Sequence, residues 1–473
     1  MSADYKVIFT RRNSLFSMEK EALYELCKDS YLGGDSYSPD KYLIRNNENI
    51  EPTDIFSYRS DLVSYTNYVE PLLNIVVGLI YNKLPDRTKV PDYLDYINKS
   101  IYKKKPIDLF MQNVAIQSQL YPLAILIDSP RITLPITIAE RQAKNLNPYA
   151  VIYKYNEIRD FSVDTFGNLQ WILLDNTYID NSNPLTKSTI QVSYTLWTTE
   201  EAITFTKVNE SNSNYEVSTD KIEHGLGVVP VVLCGFNQLD TDSLQSSPFQ
   251  NISLSSRKIY NIGSMIDSAL FNATFQLLVW PGQAPDNIVT KGYGTVGIAE
   301  FAIDASNAPQ FIKQGLEDIA PYIIEIKRQT QDIYHQLGFK DPESENIQYD
   351  SGKLKAIEFS LKTKNILNNI ATELEHTENE IYKIAALYEQ QTIDPEIKYN
   401  KDYTDKDLSI LKAQLDATFR TYPYNMFRRE IAKKVAKLTF KEDKDVDIKS
   451  IEQDIDNTAI EEVSIITENM EQV

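Results

Sequence analysis

Apolar residues along this chain recur with two different periods, and the places where the period changes divide it into segments. Glu19 to Asp29 reads as a short amphipathic helix, followed by a polar stretch containing Gly33-Gly34-Asp35 and Asn46-Asn47-Glu48-Asn49. A stronger helical signal runs from Thr53 to Asn82. Tyr58, Leu62, Tyr65, Val69, Leu72 or Leu73, Val76 and Ile80 recur there three or four apart, which places them on one face of a helix. Thr53 or Asp54 is positioned to cap its free N–H groups, and Pro85 and Pro91 close the region. A further helix is expected from Ile107 to Gln119.

From Tyr121 to about Val232 the runs become short and β-rich: Leu123 to Ile127, Ala150 to Tyr153, Leu169 to Leu174 and Ile190 to Trp197. Turn residues separate them, as in Asp164-Thr165-Phe166-Gly167-Asn168 and Asn181-Ser182-Asn183-Pro184, so an antiparallel β module is expected.

Helical spacing returns at Ser253 to Gln276, where Ile259, Ile262, Ile266, Leu270 and Ala273 share a face. Leu277-Leu278-Val279-Trp280 then leads into Pro281-Gly282, and short strands with Gly turns extend to about Gly315. Leu316 to Leu337 steps by threes and fours, with Pro321 near its start, where the missing N–H is tolerated. Gly338 to Gly352 is a polar connector. A long helix follows from Lys353 to Gln390, with Leu367, Ile370, Leu374, Thr377, Ile381, Ile384 and Tyr388 in register. Such a helix is about 55 Å long, more than a compact domain ordinarily uses. Pro395 interrupts the chain, helices are expected over Lys406 to Arg420 and Tyr424 to Thr439, and Lys441 to Val473 is a charged, mostly acidic tail. No tandem repeat of fixed period is found.

Composition narrows the choices. The 473 residues suffice for roughly two to four domain-sized units, and 42% hydrophobic residues supply a core. The formal charge of −19 argues against a protein whose main work is gripping phosphates, which needs clustered Lys and Arg. Two cysteines, Cys27 and Cys234, make no disulfide framework; Cys234 adjoins the apolar run Val231 to Leu233 and reads as a buried thiol, which fits a reducing cytoplasm. Met1 to Lys6 has no signal-peptide core, and the apolar runs Leu72 to Tyr81, Leu120 to Ile127 and Val228 to Gly235 fall short of the ~20 residues that span a bilayer. A soluble protein without a membrane partner is expected.

Catalytic signals are missing. His224, His335 and His376 lie far apart, and there is no HExxH, CxxC, Walker A loop or GxSxG elbow. Gly292-Tyr293-Gly294-Thr295-Val296-Gly297 matches G-x-G-x-x-G, but a dinucleotide site needs a helix immediately after it. Ile298 to Ile303 instead alternates like a strand, so a Gly-permitted hairpin is expected. The carboxylates show no glycosidase-type spacing, and tyrosines such as Tyr58 and Tyr65 sit at helix-period positions that suit packing better than carbohydrate stacking. No catalytic residue, cofactor or metal is expected.

Four segments, taken in order, resemble the portal proteins of tailed bacteriophages. The first runs from Tyr58-Arg59-Ser60-Asp61 to Gly78-Leu79-Ile80-Tyr81-Asn82-Lys83-Leu84-Pro85, with Tyr81 where portals usually have Phe. The second is His224 to Val232, a strand phrase running through Val229-Pro230. The third is Ser255 to Gly282, a helix ending at Trp280-Pro281-Gly282, and the fourth is Ser351-Gly352-Lys353 with the long helix to Tyr388. The resemblance covers Tyr58 to Phe440.

It implies an α+β, mostly helical portal fold: an α/β wing over 1–252, stem helices over 253–276 and 316–337 flanking a small β-rich clip over 277–315, a tunnel loop over 338–352, the long wing helix over 353–400, and a helical crown with the acidic tail over 401–473. It also implies a homo-oligomeric ring, usually of twelve subunits, at a capsid vertex of the virion, assembled in the host cytoplasm. Its partners would be the large terminase subunit, a head-tail adaptor, the major capsid protein and a scaffolding protein. Double-stranded DNA would pass through without sequence readout. On this reading Lys340, Asp341, Glu343, Glu345 and Lys353 line the tunnel loop, and Trp280, Tyr293 and Phe301 make clip contacts. The alternatives are another virion structural or adaptor protein, a non-enzymatic helical scaffold, and, against the missing motifs, a carbohydrate-active enzyme.

Overall fold

The computed structural model describes residues 5–47, 51–130, 146–181, 188–211, 214–235, 247–274, 276–281, 295–301, 310–312, 319–339, 361–401, 403, 433 and 448–457. The chain divides into one unit from Met1 to Tyr403 and a second from Thr404 to Val473. In the second unit the described helix is Ile448–Asn457, whose Asp456 pairs with Lys433 at 2.7 Å. The expected helices over 406–420 and 424–439 otherwise lie outside the described residues.

After a 3-10 helix over Tyr5–Thr10, the first unit continues with α1 (Met18–Leu32), whose N-terminal N–H groups gain an acceptor from the Ser17 hydroxyl, 3.4 Å from the Lys20 amide. A one-turn α2 (Pro39–Tyr42) follows. The single helix expected over Thr53 to Asn82 is two, α3 (Thr53–Leu62) and α4 (Val69–Ile80). Tertiary hydrogen bonds hold the break open: the Tyr65 hydroxyl donates to the Ser30 carbonyl at 2.9 Å, and Asn67 Nδ2 to the Tyr31 carbonyl at 3.0 Å. Asn67 Oδ1 also accepts from the Glu70 N–H at 3.0 Å, which restarts the helix. Neither Thr53 nor Asp54 caps α3; Pro52 precedes it, and the Thr53 hydroxyl accepts from Arg45 instead.

After β1 (Asp86–Thr88) comes α5 (Ile107–Leu120), within a residue of its expected bounds. The β module is antiparallel as expected. Here β2 (Leu123–Asp128) lies between β3 (Tyr149–Lys154) and a later strand, and a five-stranded sheet uses β4 (Ile158–Val163) and β5 (Leu169–Asp175). The run from Ile190 to Trp197 is split by Val192. Its first part is β7 (Thr189–Gln191), paired with β6 (Tyr178–Asp180); its second is β8 (Ser193–Thr198), in the five-stranded sheet. A long hairpin of β9 (Glu201–Ser211) and β10 (Asn214–Glu223) completes the order β10-β9-β8-β5-β4, and β11 (Val231–Cys234) completes β11-β2-β3.

The remaining elements are α6 (Pro248–Thr274), β12 (Gln276–Pro281), β13 (Thr295–Phe301), β14 (Gln310–Ile312), α7 (Ala320–Leu337), α8 (Leu361–Tyr388) and β15 (Glu396–Lys398). The bulk is α+β, with helices and small sheets segregated along the chain. Strand β15 closes on β1 through Asp86↔Lys398, Arg87↔Ile397 and Thr88↔Glu396.

One main core joins these pieces. Leu73 and Ile80 of α4, Phe110 and Met111 of α5, Leu123 and Ile125 of β2, and Leu367, Ile381 and Tyr382 of α8 are all essentially fully buried in it. Each such side chain contributes about 1.5–3 kcal/mol through removal of apolar area from water. The expected α8 face is borne out, since Leu367, Ile370, Leu374, Thr377, Ile381 and Ile384 are all buried. Cys27 and Cys234 are free, buried thiols. Among the described residues no helix is long and apolar enough to cross a membrane.

Candidate functional site

The part of the fold whose construction best suits a function is not a cleft but a pair of helices with a small sheet between them in sequence. Helix α6 is amphipathic and carries buried serines on its packed face. Ser253 and Ser256 donate to the carbonyls one turn back, Phe249 and Ile252, at 2.8 Å each, so their hydroxyl protons are satisfied within the helix.

Two polar side chains of α6, Asn261 and Ser264, tie it to the N-terminal segment. Asn261 accepts the Ile44 N–H at 2.7 Å and donates to the Tyr42 carbonyl at 3.1 Å. Arg59 of α3 reaches the Ser264 hydroxyl at 2.9 Å and the Ile44 carbonyl at 2.7 Å, and holds Glu51 through Nε at 2.7 Å and Nη2 at 3.1 Å. Burial raises the Glu51 carboxyl, but the Arg59 and Asn46 hydrogen bonds outweigh it, so the group sits below its ordinary value. Aromatic contacts add to the seam: Tyr37 lies edge-on to Tyr260, and Tyr58 to Phe271, with centroids 5.2 and 4.8 Å apart.

Helix α7 packs on α6 and begins with Pro321 in its first turn, as the sequence suggested. Lys258 of α6 meets Glu325 of α7 at 2.5 Å, and Arg328 binds the same carboxylate at 2.7 Å. Hydrogen bonds from Arg328 and Lys258 hold Glu325 well below the usual carboxylate range. Gly338 ends α7 in the left-handed region at φ 74°; its N–H donates to the His335 carbonyl at 3.1 Å, and the next amide, Phe339, reaches back to Tyr334 at 3.0 Å. That paired closure needs a residue free of Cβ strain, which is why the helix stops at this glycine. The outer faces of both helices remain apolar: Leu254, Met265 and Leu270 on α6, and Tyr322, Ile323 and Ile324 on α7, are exposed by 42–67%.

Between the helices lies a three-stranded sheet in the order β13-β12-β14. The expected hairpin at the glycine motif falls on Gly292 to Gly294, which lie outside the described residues. Strand β13, which contains Gly297, runs parallel to β12, with Leu277↔Gly297 and Trp280↔Glu300, while β14 is antiparallel to β12. Parallel neighbours need a crossover of a dozen or so residues, and residues 282–294 supply that length in the sequence. The segment after the motif is nonetheless a strand, so it offers no helix N-terminus to a pyrophosphate. Of the expected clip residues, Trp280 is half-buried in β12 and Phe301 ends β13 opposite Pro281. Tyr293 lies outside the described residues, as do Lys340, Asp341, Glu343, Glu345 and Lys353.

Helix α8 follows α7 and is joined to its end: Thr363 donates to the Leu337 carbonyl at 2.8 Å and Lys362 to the His335 carbonyl at 2.9 Å. Two buried carboxylates on α8 went unmarked in the sequence. Glu378 accepts from Arg87 at 2.6 Å and from the Tyr399 hydroxyl at 2.5 Å, locking the β1–β15 pair to the helix. Glu373 accepts from the Gly235 amide at 2.6 Å, and burial raises its carboxyl above the ordinary value. Nothing in the sequence sets them apart from Glu375 and Glu380 on the same helix.

The histidines perform no shared task. His224 faces the Thr198 carbonyl through Nε2 at 3.1 Å and accepts the Leu226 N–H at Nδ1 at 3.3 Å, and burial lowers its pKa, all of which describes a neutral, structural imidazole.

No protein-family model matches the chain, and no curated protein matches it. Two similar solved structures are the neck of an empty GTA particle computed with C6 symmetry and the neck of a native GTA particle computed with C12 symmetry. The first is 11% identical with a TM-score of 0.40, over 77% of this chain and 90% of that one. The second is 10% identical with a TM-score of 0.36, over 75% of this chain and 84% of that one.

Proposed function

We propose that this chain is a portal subunit: a non-enzymatic protein that closes with further copies into a ring at one capsid vertex, usually of twelve subunits in the family it resembles. The ring is the passage for double-stranded DNA during packaging and ejection, and the surface on which terminase and then a head-tail adaptor dock. The observation that carries the reading is the order of elements from 248 to 388. Two packed helices enclose a small sheet in sequence, and a third helix of 28 residues comes next in chain order, as stem, clip, stem and wing helix follow one another in portals.

Two further features support it. The outer faces of α6 and α7 expose large apolar side chains that a second copy would cover, as a rotationally closing contact requires. The formal charge of −19 per subunit suits a channel wall that lets phosphates slide rather than bind. Clip, tunnel-loop and crown roles follow the same alignment of segments, with Trp280, Tyr293 and Phe301 in the clip and Lys340, Asp341, Glu343, Glu345 and Lys353 around the tunnel loop.

The test is negative-stain electron microscopy and native mass spectrometry of the purified full chain. A ring with a central channel and about twelve subunits is the expected result. A monomer, or an assembly without a channel, overturns the reading.

A further inference from the structure

The turn Tyr102-Lys103-Lys104-Lys105 has no role in the stem, clip or tunnel loop of the proposed ring. The Lys105 N–H donates to the Tyr102 carbonyl at 2.7 Å, closing a four-residue turn. Both central residues lie in the left-handed region, Lys103 at φ 44° and Lys104 at φ 63°. That is the primed turn for which Asn-Gly is the low-strain sequence, whereas a Cβ-bearing lysine at each position is strained.

The turn is held rigidly at its base. Ile101 is buried, its N–H donates to the Lys105 carbonyl at 2.9 Å, and its carbonyl accepts from the Ala150 amide of β3 at 2.9 Å. Its tip is wholly basic and exposed at Lys103, Lys104 and Lys105. Another strained lysine, Lys89 at φ 58°, pairs with Glu396 at 3.2 Å. Among the described residues none of the three turn lysines has a carboxylate partner; Lys103 lies 5.2 Å from the ring centroid of its neighbour Tyr102.

We infer that this turn is a contact for the phosphate backbone of double-stranded DNA. Strain retained at two adjacent positions, with three ammonium groups free of carboxylate partners in a chain of charge −19, indicates that the side chains rather than the turn shape are used. The three ammonium groups stand together on one tight turn, and duplex DNA presents one charge per ~1.7 Å of axis, so the tip meets a dense row of phosphates. An acidic protein surface offers no comparable charge density, and the tip carries no apolar side chain to pack on one. The inference rests on the portal reading and deepens it by adding a point of DNA contact outside the stem, clip and tunnel-loop segments.

The experiment measures binding of the full chain to a fluorescein-labelled random-sequence duplex by anisotropy, over a series of salt concentrations. Lys103→Asn, Lys104→Gly and Lys105→Gln together remove the charges and install the low-strain sequence. This variant should bind about tenfold or more weakly at low salt, with a salt slope shallower by about 0.9 for each phosphate it no longer neutralises. Its thermal midpoint should rise by about 2 °C because the strain is gone. The matching triple arginine variant should keep both affinity and slope. Unchanged DNA binding by the Asn-Gly variant overturns the inference. So does an arginine variant that binds as weakly as the Asn-Gly one, which would make turn shape the cause. Unchanged DNA binding with loss of ring assembly would assign the turn to an acidic protein partner, and overturns it as well. The binding readout needs no ring, so a chain that fails to assemble in micrographs leaves this measurement separate from the portal test.

Discussion

Arg59 and Glu51 form a buried, two-pronged ion pair: Nε meets one carboxylate oxygen at 2.7 Å and Nη2 the other at 3.1 Å, and each residue is only 7% exposed. The same guanidinium also reaches Ser264 in the middle of α6. The pair therefore joins the N-terminal segment to the helix that leads into the small sheet.

Removing one partner of such a pair leaves a buried charge alone. Arg59→Ala should destabilise the chain by about 3–5 kcal/mol, and Arg59→Lys should recover only part of this because an ammonium cannot make the fork. Glu51→Gln combined with Arg59→Ala should be less damaging than the sum of the two single changes. Urea titrations of the four proteins give the cycle, and additive losses would show that the pair does not act as a unit.

Glu373 makes a pH-dependent contribution whose sign is fixed. Burial raises its carboxyl in the folded chain, so the folded state binds this proton more tightly than the unfolded one. Its effect on stability is absent below the ordinary Glu value of about 4.3 and becomes a growing penalty as pH rises from there through the raised folded value. Glu373→Gln keeps an oxygen for the Gly235 amide and removes the charge. The variant and the parent should melt alike near pH 4, with the variant melting higher at pH 8; parallel melting curves across that range would refute the assignment.

Two glycines distinguish strain from crowding. Gly235 and Gly225 both lie in the left-handed region, at φ 79° and 64°. A Cβ on Gly225 meets open space, whereas one on Gly235 comes to 3.0 Å from the Pro122 Cα, which is backbone and cannot give way. Gly225→Ala should cost about 1 kcal/mol, and Gly235→Ala about 2 kcal/mol or more. Equal losses in thermal unfolding would contradict the crowding at Pro122.

The exposed faces of α6 and α7 make a prediction about assembly. Ile323 and Ile324 are 47% and 67% exposed, so an Asp at both should change the stability of the single chain by about 0.5 kcal/mol or less. A charge there would be buried without a partner at a subunit contact. Sedimentation should show rings from the parent and single chains from the double variant. Rings from both would remove these helices from the interface.

Elements whose signal is local could be read from the residues alone. The packed faces of α5 and α8, the end of α7 at Gly338, and the β-rich stretch after Tyr121 are periodicities or single-residue backbone preferences, so they are legible without knowing what lies nearby. The portal resemblance also lay in local phrases, and Tyr58-Arg59 was among them, but what Arg59 does was not legible there. Three-dimensional packing was needed to establish that Arg59 meets Glu51 and Ser264, that Glu373 meets Gly235, and that β1 pairs with β15 from the far end of the unit. Packing also broke the 53–82 helix through Tyr65 and Asn67, and it set β12 and β13 parallel. Each of these depends on a partner distant in the chain, and a hydrogen bond or ion pair across such a distance leaves no periodic trace in the residues that make it.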